Sequence, residues 1–251
     1  MTDAIEVRGS RMHKALGVLL GLLIIGIGGW VGSISANLPI VADLHESIGS
    51  NLASGGRSYV SLDQVPLGLL SGLVAVEDKR FYEHDGIDWI RVAGALWANA
   101  KAHRVEQGGS TITEQLVDNT LLRNEEKGLA RKVRAILLSR RVEQAYTKDQ
   151  ILELYLNAIY YGPDSYGLDA ASKNYFRQVP SGLDQEQQLF LAGVIRGPAL
   201  YDPYWHCPAA RRRLDEVIAA RLEAGSLSRT EAEALRAAPL KHARGVCRTQ
   251  E

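Results

Sequence analysis

A mainly α-helical domain carried behind one membrane-spanning helix is the fold class the sequence predicts, and three observations predict it. The run from Ala15 to Ile34 holds no charged residue and has about the 20 residues a helix needs to cross a bilayer core. The segments that follow repeat apolar residues at helical spacing. No stretch of alternating residues bounded by turn signals argues for a sheet.

Arg8, Arg11 and Lys14 precede the apolar run, and the first charge after it is Asp43. The positive-inside rule then places residues 1–14 in the cytoplasm, a transmembrane anchor at 15–35, and everything after about Ala36 outside. A cleaved signal peptide is the alternative, permitted by Ser33-Ile34-Ser35-Ala36. Residues 36–57 are mixed and rich in Ser and Gly, which reads as a juxtamembrane linker. The folded domain is expected over residues 58–245.

After Pro66, a natural first helical residue, Leu67, Leu70, Val74 and Phe81 keep helical spacing, so a helix is expected from Leu67 through Phe81. Further helices are expected over Ile90 to Lys101, Thr111 to Leu122, Leu129 to Ala145 and Lys148 to Asn157. The same spacing continues over Leu168 to Phe176, Asp184 to Arg196, Ala209 to Ala224 and Arg229 to Ala238. Thr147 with Gln150, and Ser228 with Glu231, make capping boxes for two of them.

With 46% hydrophobic residues in 251, the chain can bury a core of its own. Its 29 basic and 29 acidic residues cancel, so no global field argues for nucleic acid. Cys207 and Cys247 lie in the outer part, where an oxidising compartment permits a disulfide. Two unpaired small side chains are the alternative. The six histidines never approach a zinc spacing.

Three segments carry chemistry. In Glu77-Asp78-Lys79-Arg80-Phe81-Tyr82-Glu83-His84-Asp85-Gly86, helical geometry puts Glu77, Phe81 and His84 on one face and sets a carboxylate beside an apolar ring, a setting for a general base. Gly108-Gly109-Ser110-Thr111-Ile112-Thr113-Glu114-Gln115, followed by Asp118-Asn119, reads as a flexible loop handing over to a capped helix start, which suits an anion or phosphate. Arg131-Lys132-Val133-Arg134 begins a basic helix that can face a diphosphate. Each segment alone is equally a solvated helix face or an ordinary cap.

Together, in this order behind an apolar anchor, they resemble glycosyltransferase family 51, the peptidoglycan glycosyltransferases. EDKRFYEHDG, GGSTITEQ, RKVR and VEQAYTKDQILELYLNAIYYG resemble the family's successive motifs, and the similarity continues through SYGLDAASKNYF and LAGVIRGPALYDPY to about Leu240. The resemblance implies a lysozyme-like, bilobed helical domain held close to the bacterial inner membrane. It implies an enzyme that polymerises lipid II into a growing glycan strand and releases undecaprenyl diphosphate. Glu77 is then the base that takes the proton from the acceptor's 4-hydroxyl, with Asp78, Phe81 and His84 around it. Ser110, Thr111, Gln115, Asn119, Arg131 and Lys132 line the donor side, often with a divalent metal, Mg or Mn, assisting. Partners implied are lipid II, the glycan strand, membrane lipid, and transpeptidases or other cell-wall synthesis proteins. With no Ser-x-x-Lys in the chain, the monofunctional type is expected.

Three positions depart from the family pattern: Glu114 stands where the family has Gln, Asp118 where it has Lys, and Ala135 where it has Glu. An aspartate in place of a lysine turns attraction for a diphosphate into repulsion. The departures leave open a second class of function, a binding or scaffold protein without turnover, and a glycan hydrolase is a third.

Overall fold

The computed structural model of the chain describes residues 2–102 and 109–247, and helical spacing of apolar residues decides its architecture. The apolar run lies in α1 (Thr2–Ala36). Its segment Leu19–Ala36 has a mean hydropathy of 1.9 and is almost wholly uncovered by the rest of the protein, which makes it the candidate membrane helix among the described residues.

The linker expected over 36–57 contains a helix instead, α2 (Leu44–Ser54). Leu44, Ile48 and Leu52 recur every fourth residue, all three are buried, and they join the main core. Short polar residues between them hid this stripe from a reading by composition. α2 packs on α7 (Lys148–Ala158). The last turn of α1 and its connection to α2 are also fastened to α6 (Leu129–Ala145) and its C-cap residue: Arg141 donates to the carbonyl of Ser35 at 3.0 Å, and the Tyr146 hydroxyl lies 2.9 and 2.8 Å from the carbonyls of Val41 and Ala42.

α3 (Leu67–Glu77) starts after Pro66 as expected but stops at Glu77, four residues early. Asp78 leaves the helix because its carboxylate is claimed from outside: the backbone N–H of Ile112 donates to Oδ2 at 3.0 Å, and His84 Nε2 lies 3.0 Å from the same oxygen. Phe81–Glu83 forms a separate single turn. Glu77, Phe81 and His84 therefore do not share a helix face, and the spacing argument for that face is corrected.

Next come α4 (Trp89–Ala102), α5 (Ile112–Asn119), α8 (Leu168–Phe176), α9 (Gln185–Val194), α10 (Cys207–Glu223) and α11 (Arg229–Ala237). The capping boxes Thr147 with Gln150 and Ser228 with Glu231 are both present. Two more, Thr111 with Glu114 and Asp184 with Gln187, start α5 and α9. α3, α9 and α10 pack together as one group, α5, α6 and α7 as another, and α8 touches both α7 and α9. Leu69 and Leu73 from the first group and Leu116, Leu138 and Tyr155 from the second meet in one continuous apolar core. The chain thus folds as a mainly α-helical, two-lobed domain behind a candidate membrane helix.

A small sheet is present where none was expected. β1 (Leu240–His242) and β2 (Gly245–Cys247) pair antiparallel with Leu240 opposite Cys247. Strands this short leave no legible alternation in sequence. Cys247 at the end of β2 is disulfide-bonded to Cys207 at the start of α10, with Cα atoms 5.4 Å apart.

Candidate functional site

Glu77 ends α3 between the two helix groups, and its side chain is buried. Each carboxylate oxygen has a donor. Arg213 Nη2 on α10 lies 2.9 Å from Oε1, and Gln115 Nε2 on α5 lies 3.2 Å from Oε2. The Gln115 amide is itself oriented by Tyr155 on α7, whose hydroxyl donates to Oε1 of Gln115 at 2.9 Å. Burial, then the negative charge of Glu77, pushes that hydroxyl's pKa well above its ordinary value, so it stays a donor. Arg213 is fixed in turn by the carbonyl of Gly193 at 2.9 Å and by Glu216 at 2.8 Å.

Glu77 faces a cavity of about 440 Å³ whose wall carries Lys79, Arg80, Arg91 and Arg196. Arg91 donates to the backbone carbonyl of Glu77 and lies 3.7 Å from Asp78 Oδ1. Asp88 accepts from the N–H of Arg91, capping α4, and holds Arg80 at 3.2 Å. Two buried carboxylates, Glu77 and Asp88, stand among the guanidinium and ammonium groups of this wall, and such a wall is a place where a polyanion can be held beside an acceptor of protons.

Around this centre, the Asp78–His84 pair anchors the loop to α5, and Lys148 fastens it to α6. Lys148 Nζ donates to the His84 carbonyl at 2.6 Å and to Glu143 Oε1 at 2.8 Å, and stands 4.4 Å from the centre of the Phe81 ring. Phe81 thus packs against Lys148, Tyr82 and His84. Gly86 adopts a φ of 91°, and a Cβ there would lie 2.9 Å from the backbone of Ser139, so only glycine lets the loop approach α6 this closely. The Thr111 hydroxyl donates to the Gly86 carbonyl at 2.6 Å.

The donor-side residues divide. Gln115 reaches Glu77, and Ser110 and Thr111 precede α5 on the loop; Gly108 of the glycine pair lies outside the described residues. Lys132 pairs with Glu114 at 2.6 Å, while Glu114 also accepts from the N–H of Thr111, so this departure completes the cap of α5. Arg131 pairs with Asp118 at 2.9 Å, so the aspartate's charge is already matched within the protein. Ala135 is buried in the core. Asn119 donates to the carbonyl of Gln115 and faces a different cavity.

Arg213, Arg91, Tyr155 and Lys148 were not singled out in the sequence. The signal for Arg213 was present: α10 buries Ala210, Leu214, Val217 and Ile218, and Arg213 falls on that stripe. A cation on an apolar stripe calls for a buried partner. Arg91, by contrast, gives no such sign. The two carboxylates of the cavity, Glu77 and Asp88, are each engaged by an arginine, and among the described residues no three Asp, Glu, His or Cys side chains gather as a metal site; the site does not fit a divalent ion held by protein alone.

A transglycosylase family model matches residues 45–222. Penicillin-binding protein 1A/1B of Bacillus subtilis is 36% identical over 88% of this chain and 26% of its own length. Penicillin-binding protein 1A of Aquifex aeolicus is 39% identical over 68% of this chain and 24% of its own. A Cupriavidus necator protein with transglycosylase in its name is 36% identical over 92% of this chain and 98% of its own. The chain spans about a quarter of the length of those two penicillin-binding proteins. On this match and on the order of its motifs, the chain belongs to the transglycosylase family, glycosyltransferase family 51.

Proposed function

We propose that this chain is a membrane-anchored peptidoglycan glycosyltransferase that polymerises lipid II into β-1,4 glycan strands and releases undecaprenyl diphosphate. The observation that carries the reading is the buried Glu77 carboxylate held between Arg213 and Gln115 at the edge of a cavity lined by four cations. Glu77 takes the proton of the attacking 4-hydroxyl, and each of its oxygens keeps a lone pair free for this beyond the bond it accepts. The cations of the cavity wall, together with Arg131 and Lys132 of the donor side, compensate the diphosphate that leaves with the electron pair of the broken bond. Asp78, His84 and Phe81 position the loop that carries the base, and Thr111, Gln115, Arg131 and Lys132 form the donor side. α1 anchors the domain, with its N-terminus in the cytoplasm and the cleft on the outer face.

Incubation of the purified chain with labelled lipid II, followed by separation of polymer, fragments and unchanged substrate, tests the reading. Polymer is expected from the wild type and none from Glu77→Gln, which keeps the shape but cannot take the proton. Polymer from that variant at the wild-type rate overturns the role of Glu77, and fragments in place of polymer identify a hydrolase. A second reading rests on the Asp118–Arg131 pair: a cation of the donor side is engaged within the protein, which fits a chain that holds lipid-linked substrate or scaffolds cell-wall synthesis without turnover. Unchanged but tightly bound lipid II is its expected result.

A further inference from the structure

The cavity that Asn119 faces is separate from the Glu77 cavity and lies between α2, the end of α5 and the end of α7; its volume is about 330 Å³. Two of its lining residues are arginines, Arg57 and Arg123, and none is an aspartate or glutamate. Both guanidiniums stand over one ring, that of Tyr166, at 5.6 and 4.7 Å from its centre. Arg123 Nη2 also donates to the Tyr166 hydroxyl at 2.8 Å. Among the described residues no carboxylate pairs with either arginine. The ring face and hydroxyl of Tyr166 hold the two cations, but like charges drawn to one ring repel each other, and an anion between them relieves that repulsion.

From this we infer that the cavity is a phosphate-binding site in which Arg57 and Arg123 grip a phosphoryl group. Guanidinium forks match phosphate oxygens in pairs, and Ser47 and Asn51 of α2 line the same cavity as further donors. Leu44, Ile48 and Leu52, on the adjoining face of the same helix, add apolar lining, so the ligand that fits has an anionic head and a short apolar continuation. α2 follows directly on the candidate membrane helix, which puts the site where a phospholipid headgroup reaches it; a soluble phosphate or diphosphate offers the same chemistry. The site goes beyond the proposed polymerisation and does not depend on Glu77.

Calorimetric titration of the detergent-solubilised full chain with inorganic diphosphate tests it. In Arg57→Gln/Arg123→Gln one class of saturable binding is expected to weaken at least tenfold, equivalent to about 1.4 kcal/mol. Arg123→Lys, a milder change that keeps the charge but loses the fork, is expected to fall between the two if the double variant unfolds early. A wild type with no saturable binding, or variants that titrate like the wild type, overturns the proposal. Repeating the titration in bilayers of phosphatidylglycerol and of an uncharged galactolipid identifies the source. Weaker diphosphate binding in phosphatidylglycerol, seen in the wild type and absent in the double variant, marks the headgroup as occupant; equal binding marks a soluble phosphate.

Discussion

Arg213 Nη2 lies 2.9 Å from Glu77 Oε1, and both side chains are about 95% covered. A pair this buried is worth little as attraction alone, since both charges gave up water, but either member left alone is costly. Arg213→Ala is therefore expected to destabilise the domain by about 3–5 kcal/mol, read as a lower urea midpoint. Adding Glu77→Gln to it is expected to return part of the loss. Additive losses in the double variant would show that the two residues are not coupled.

Reduction of the Cys207–Cys247 bond, or Cys207→Ser with Cys247→Ser, frees the C-terminal hairpin from α10. With the cysteines 40 positions apart in sequence, chain entropy predicts a loss of about 3–4 kcal/mol. The check is a denaturation curve with and without reductant. Coincident curves would mean that packing of the hairpin alone holds it.

Asp118 and Ala135 separate two effects that the family pattern merges. Asp118→Lys removes the carboxylate that engages Arg131 and adds a cation, so lipid II affinity is expected to rise tenfold or more, at about 1.5–3 kcal/mol for each charged contact to phosphate. Ala135→Glu puts a carboxylate where the native side chain is buried in the core, and a lowered Tm is expected before any gain in turnover. Binding to immobilised lipid II and thermal scans on each single variant decide it. Weaker binding by Asp118→Lys would show that the native ion pair serves the donor side.

His242 has its pKa depressed, first by burial and also by the Arg244 cation, although Asp202 pulls the other way. Folding then favours the neutral ring, whose Nδ1 accepts from the N–H of Arg244 at 3.4 Å. The unfolded chain binds the proton more readily, so this contribution is present above the ordinary histidine value and is lost as pH falls below it. Between pH 7 and 5 the wild type is expected to lose more stability than His242→Gln, measured as Tm against pH. Parallel curves would remove His242 from the account.

Much of this architecture was legible because it rests on local spacing. α6 and α8 fall at the residues where apolar periodicity put them, and two capping boxes were readable from Thr147 and Ser228. What was not legible depends on groups far away in the chain. α3 stops at Glu77 because Ile112 and His84 claim Asp78, and no property of residues 67–81 alone records that. The same holds for Glu77, whose partners lie 38 and 136 residues on. Motif order put Glu77 and Gln115 in one site, but not Arg213.

The clasp of α6 and its C-cap residue on the last turn of α1 and the chain after it, through Arg141 to Ser35 and Tyr146 to Val41 and Ala42, has a consequence for the proposed function at a membrane. A loose tether would let the domain swing and sample a hemisphere above a bilayer. This one leaves almost no slack, so with α1 inserted the cleft rides at a fixed height and tilt. Under the proposed function, search for a lipid-carried substrate becomes sliding in a plane, and the relevant concentration is molecules per unit area of membrane.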